Sequence, residues 1–170
     1  SYKQRAIALE RGRLNRLRHT PAVTMDGEAV ELLANIEIPD DAAAAVAAGA
    51  EGVGLFRSEF LFMGRHGWLP DEEEQYQAYR RAVEGFGGRP VTIRTVDVGA
   101  DKPMDTGFAA ADHLNPALGL RTIRWSLADP AMFMTQLRAI LRAAAHGPVR
   151  MLIPMLAHLG EIKQTLAWVE

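Results

Sequence analysis

The sequence predicts an α/β fold, a parallel sheet covered by helices. Three observations carry that prediction. Short runs such as GVGLF (52–56) and MLIPM (151–155) are apolar on both strand faces, as strands buried on both sides must be. Stretches with one apolar face at helical spacing lie between them. The two kinds alternate along the chain, which is the order of βα units. A doubly wound sheet and a (β/α)8 barrel both satisfy that order. A barrel typically takes about 250 residues, whereas this chain has 170 and stops on a helical stretch. It therefore reads as a piece, a partial TIM-type barrel of roughly the first half.

The elements follow in order. Residues 1–20 carry Lys3, Arg5, Arg11, Arg13, Arg16 and Arg18 against Glu10, with Ile7, Leu14 and Leu17 as a narrow apolar stripe. They read as a solvated linker helix, and residues 21–170 as the incomplete N-terminal portion of the barrel domain. Residues 30–36 read as a buried strand. Pro39-Asp40 opens an alanine-rich helix through Ala48, which Gly49 caps. Residues 52–57 form the second strand. Pro70 with Asp71, Glu72, Glu73 and Glu74 places proline and acids in a first helical turn, where the dipole favours them. Tyr76, Tyr79, Val83 and Phe86 follow at helical spacing as core residues, until Gly87-Gly88 stops the helix.

Residues 91–97 form the third strand, with Val91, Ile93 and Thr95 on one face and Thr92, Arg94 and Val96 on the other. A long excursion over 99–128 includes a short helix after Asn115-Pro116. Asp129-Pro130 is an N-cap and first-turn pair for a helix whose inner face holds Phe133, Leu137, Ile140, Leu141 and Ala144, closed by Gly147. Residues 149–155 form the fourth strand and 156–170 begin a further helix. The first and fourth strands of such a piece are open edges, so self-association is expected.

Composition excludes several classes. A net charge of −2 gives no general case for nucleic acid or a membrane surface as partner. The absence of cysteine removes disulfides, thiolate metal sites and a cysteine nucleophile. No apolar run reaches membrane-spanning length and no signal-peptide core opens the chain, so a cytoplasmic location is the default. A non-catalytic protein- or nucleic-acid-binding module using the basic N-terminal helix is the alternative from a different class.

The chemistry concentrates in arginines placed where strands end. Arg57 closes the second strand and Arg94 lies near the end of the third, with Lys102 in GADKP behind it and Arg121 in NPALGLRTIR beyond. In parallel α/β folds the C-terminal strand ends are where ligands bind. Four cations on one rim require an anion, and a guanidinium fork suits a phosphate or carboxylate. Alternatively, each is an ordinary ion-pair partner, with Glu59 near Arg57 and Asp97 or Asp101 near Arg94 or Lys102. Asp97 and Asp101 are also candidates for magnesium. His66, His113, His146 and His158 lack nucleophile or metal spacing and read as surface or structural residues.

The motifs GAEGVGLFRSEFLFM, LPDEEEQYQAY, VTIRTVDVGADKP, NPALGLRTIR, QLRAILRAA and RMLIPM, in this order, resemble those of enzyme I of the bacterial phosphotransferase system. More distant relatives with a similar barrel are pyruvate phosphate dikinase and phosphoenolpyruvate synthase. The resemblance runs from about Pro21 onward and implies a barrel that binds phosphoenolpyruvate (PEP) and Mg2+. It implies transfer of the phosphoryl group to a histidine on another domain and then to the carrier HPr. Arg57 and Arg94 match the family's PEP-binding arginines, Lys102 and, less closely, Arg121 further substrate contacts. The metal-ligand carboxylates, a further arginine and the proton-donating cysteine of that family lie on later strands, beyond residue 170, so this piece alone is expected to be inactive. Ser58 stands where threonine is common in the family.

Overall fold

In the computed structural model, residues 2–65, 68–97 and 121–170 are described. Four parallel strands form one sheet in the order β1 (Ala34–Ile36), β2 (Val53–Arg57), β3 (Val91–Arg94) and β4 (Val149–Leu152). The helices are α1 (Tyr2–Asn15), α2 (Asp41–Ala47), α3 (Glu72–Gly85), α4 (Ile123–Ala128), α5 (Pro130–Ala143) and α6 (Leu159–Val169). The mixed α/β reading with a parallel sheet is thus what the chain adopts, and strand neighbours in sequence are neighbours in space. Within the described sheet, β1 and β4 are the edges.

Local chemistry sets most boundaries. Asp71 caps α3 by accepting the Glu74 N–H at 2.8 Å, and Asp129 caps α5 by accepting the Met132 N–H at 3.1 Å. Gly49, with φ +96°, ends the α2 turn, and a Cβ there would lie 2.2 Å from the Arg18 carbonyl oxygen, so only glycine lets the segment after α1 approach. Phe56 of β2 packs edge-on against Tyr79 of α3, ring centroids 5.7 Å apart. Around that pair Val83, Ile93 and Ile140 join α3, α5 and the sheet in the main core. Phe62, Val96, Trp125 and Met132 make a second cluster just beyond the β3 exit.

Several boundaries differ from the sequence expectation. The first strand is only Ala34–Ile36, because Val30 N–H turns back to the Ala22 carbonyl in a small antiparallel bridge about Gly27, leaving Val30 and Leu32 exposed. The third strand ends at Arg94 rather than at residue 97, since the Val96 N–H is taken by the Gln136 side chain. The fourth ends at Leu152, two residues before Pro154, which has no N–H to donate. On α5, Leu141 and Ala144 face outward, and Met132, Gln136 and Ala143 join Phe133, Leu137 and Ile140 on the inner face. Leu141 follows Ile140 by one residue, about 100° around the helix, which carries it off that face. Among the described residues the apolar stripe of the N-terminal segment finds no partner: Ile7, Leu14 and Leu17 are all exposed. The helix expected after Asn115-Pro116 lies outside the described residues.

Candidate anion site at the strand ends

Sheet register brings the two central arginines together. Arg57 and Arg94 are Cα partners across β2 and β3, both the last residues of their strands. Residues so paired in a parallel sheet share a face, on strands about 4.8 Å apart. Arg57 and Arg94 therefore stand side by side at the ends of the two central strands of the described sheet.

Carboxylates from three segments surround the pair. Glu37, just after β1, ion-pairs with the Arg57 guanidinium. Glu59 lies in the 3-10 turn Ser58–Leu61 and pairs with Arg94, not with Arg57 beside it. That turn swings the side chain two residues beyond Arg57 across to the neighbouring strand. Asp97 Oδ2 receives Arg94 Nη1 at 2.9 Å, and Asp97 Oδ1 lies 3.9 Å from Arg121 Nη2. Arg121 thus joins the same rim from the start of the α4 segment. The Arg57 guanidinium also stands 5.3 Å from the Phe60 ring centroid.

These carboxylates correct one expectation: the chain supplies its own counter-charges, so convergence of arginines does not by itself demand an external anion. A finer detail bears on a ligand. Nε of Arg57 and Nε of Arg94 are buried and have no acceptor among the described residues. A buried donor without an acceptor costs on the order of 1–3 kcal/mol. Two such donors on adjacent strand ends suit an oxyanion ligand.

Lys102, Asp101, His66 and His113 lie outside the described residues. The described histidines are placed by local bonds. His146 Nε2 meets the Tyr76 hydroxyl at 2.9 Å, and His158 opens α6 in a capping box with Glu161. Two backbone N–H groups, of Ala157 and His158, hold the Glu161 carboxyl below its usual range, the Ala157 bond contributing most. Among the described residues no three His, Cys, Asp or Glu side chains cluster as metal ligands. Asp97 is engaged by two guanidiniums, so the described residues do not fit a magnesium site.

Sequence reasoning missed Glu37, which follows β1 as Arg57 and Arg94 end β2 and β3. It also missed Gln136, whose signal was a lone amide on the apolar face of α5.

The family model described as "PEP-utilising enzyme, PEP-binding domain" matches residues 11–170. A phosphoenolpyruvate-protein phosphotransferase of Cupriavidus necator is 66% identical over 169 residues, covering 99% of this chain and 29% of the relative. One of the same name from Geobacillus stearothermophilus is 48% identical over 152 residues, 89% of this chain and 26% of the relative. Another from Listeria monocytogenes is 42% identical over 158 residues, 93% and 27% respectively. The chain thus spans less than a third of the length of these relatives.

The ion pairs differ in burial, and that difference is measurable. Glu59 is 1% exposed at its side chain and Glu37 is 42% exposed. Glu59→Ala removes the more buried of the two carboxylates on Arg94, leaving Asp97, and is expected to cost about 1–3 kcal/mol of stability, whereas Glu37→Ala is expected to cost less than about 1 kcal/mol. Urea unfolding of the two variants checks this; equal losses would refute the assigned partners.

Proposed function

The chain belongs to the family of PEP-utilising enzymes, PEP-binding domain, and on that premise we propose that it is part of a phosphoenolpyruvate–protein phosphotransferase. The observation that carries the reading is the in-register pair of arginines whose buried Nε–H groups have no acceptor among the described residues. Phosphoenolpyruvate presents a phosphoryl group and a carboxylate, both anions that charged guanidinium donors bind strongly. Arg57 and Arg94 bind it, Arg121 and Lys102 are assigned as further substrate contacts, and Glu37, Glu59 and Asp97 fix the guanidinium planes.

Phosphoryl transfer asks a protein mainly for positioning and for stabilisation of moving charge. These residues orient the donor in this reading, while the accepting histidine, on another domain, and the HPr-type carrier receive the group in turn. Mg2+ would neutralise phosphoryl charge in the complete enzyme. The names of the relatives favour this phosphotransferase over a dikinase-type enzyme.

The four parallel strands are, in this proposal, the first half of a (β/α)8 barrel from about residue 21, with residues 1–20 as its connecting helix. Open edges at β1 and β4, with Leu152, Leu156, Leu159 and Leu166 exposed near the latter, favour completion by further strands or a second copy. The chain alone is expected to self-associate and to lack turnover. A clean monomer by light scattering at high concentration would remove the second-copy reading. In the complete enzyme, Arg94→Ala is expected to lower PEP-dependent phosphoryl transfer by on the order of 10²–10³ while retaining the fold by circular dichroism. Near-normal turnover in that variant would sink the assignment.

A further inference from the structure

Beneath the arginine rim runs a buried polar chain that ion pairing does not explain. Gln136 of α5, Tyr79 and Gln75 of α3, and Ser58 at the β2 exit are each no more than 1% exposed. Their hydrogen bonds have a single consistent direction. Val96 N–H donates to Gln136 Oε1 at 2.9 Å, which fixes the other end of the amide as the donor. Gln136 Nε2 then donates to the Ser58 hydroxyl at 3.1 Å and to the Tyr79 hydroxyl at 3.0 Å. Ser58 in turn donates to the Arg94 carbonyl at 2.6 Å. Tyr79 donates to Gln75 Oε1 at 3.2 Å, and Gln75 Nε2 ends the chain on the Pro70 carbonyl at 2.9 Å. Burial pushes the Tyr79 hydroxyl far above its usual range, so it remains a neutral donor.

The backbone it grips is the segment that aims Arg94. The Arg94 carbonyl is held by Ser58, the Thr95 N–H by the Leu152 carbonyl of β4, and the Val96 N–H by Gln136. Three neighbours, the β2 exit, β4 and α5, thus tie three successive residues. An apolar side chain at 136 would fill the same space. It would leave the Val96 N–H without its acceptor and take one hydrogen bond from each of the Ser58 and Tyr79 hydroxyls.

Resting on the PEP-binding reading above, we infer that Gln136, acting through Ser58, is a positioning residue for Arg94 that sets the orientation of the substrate-binding rim. Neither residue touches the substrate; they act on Arg94 and, through the Ser58 turn, on Glu59. Because the amide orientation is locked from the Val96 side, the Ser58 hydroxyl proton is directed to the Arg94 carbonyl.

The test is steady-state kinetics of the complete enzyme with phosphoenolpyruvate, alongside thermal melting. Ser58→Ala is expected to raise KM for phosphoenolpyruvate about tenfold with kcat changed less than about threefold. Gln136→Met is expected to lower kcat/KM by on the order of 10², as a misplacement near 1 Å does. Ser58→Thr keeps the hydroxyl and should restore KM to within about threefold of the parent. A merely structural role would lower the melting temperature and leave KM unmoved. Folded Ser58→Ala with the parental KM overturns the inference, as does Ser58→Thr that is as impaired as the alanine variant. Should Gln136→Met fail to fold, the two Ser58 variants decide. Arg94→Ala run in parallel separates the two levels. If it abolishes turnover while Ser58→Ala is silent, only this inference fails; if Arg94→Ala is itself silent, the binding reading fails beneath it.

Discussion

Two guanidiniums in register on neighbouring strands repel one another, and the structure is arranged around keeping them there. At about 4 Å and an effective dielectric near 20, two like charges oppose each other by about 4 kcal/mol. Arg57 and Arg94 are Cα partners at the ends of β2 and β3, so the backbone ladder itself imposes the proximity. Glu37, Glu59 and Asp97 offset it from three different segments, and the deepest of these, Glu59, reaches across from the β2 exit to the β3 arginine. Glu37 holds Arg57 at Nη2, and Glu59 and Asp97 hold Arg94 at both terminal nitrogens.

The layers behind the rim serve the same end. The Phe56–Tyr79 contact fixes α3 against β2, and the Tyr79 hydroxyl then enters the polar chain that Gln136 commands from α5. One aromatic side chain therefore contributes both to the main core and to the hydrogen bonds that set the strand exits. Packing and positioning meet in the same residue, so the rim inherits its rigidity from the core.

Much of this was legible in the sequence, for identifiable reasons. Strands that are apolar on both faces announced a parallel sheet, and Asp71 and Asp129 announced helix starts that their side chains do cap. Arg57 and Arg94 stood out because a charge closing an apolar run is costly unless a counter-charge or a ligand meets it. What stayed hidden depended on register and turn geometry. No spacing rule tells that Glu59 pairs across to Arg94 rather than with Arg57 two residues away, since the 3-10 turn decides it. Nor does periodicity show that Val96 leaves the ladder for a glutamine 40 residues later, or that Val30 bonds back to Ala22 instead of extending β1.

The central claim is that the paired Arg57 and Arg94 guanidiniums at the β2 and β3 ends bind an oxyanion ligand. The most direct measurement is a titration of the chain with phosphoenolpyruvate and Mg2+, following the arginine Nε–H resonances by NMR. The account predicts saturable shifts at Arg57 and Arg94, with the backbone amides of Ser58 and Val96 moving alongside and the signals of α1 unchanged. Arginine resonances that stay fixed in a folded sample, or shifts confined to the basic helix α1, would contradict it.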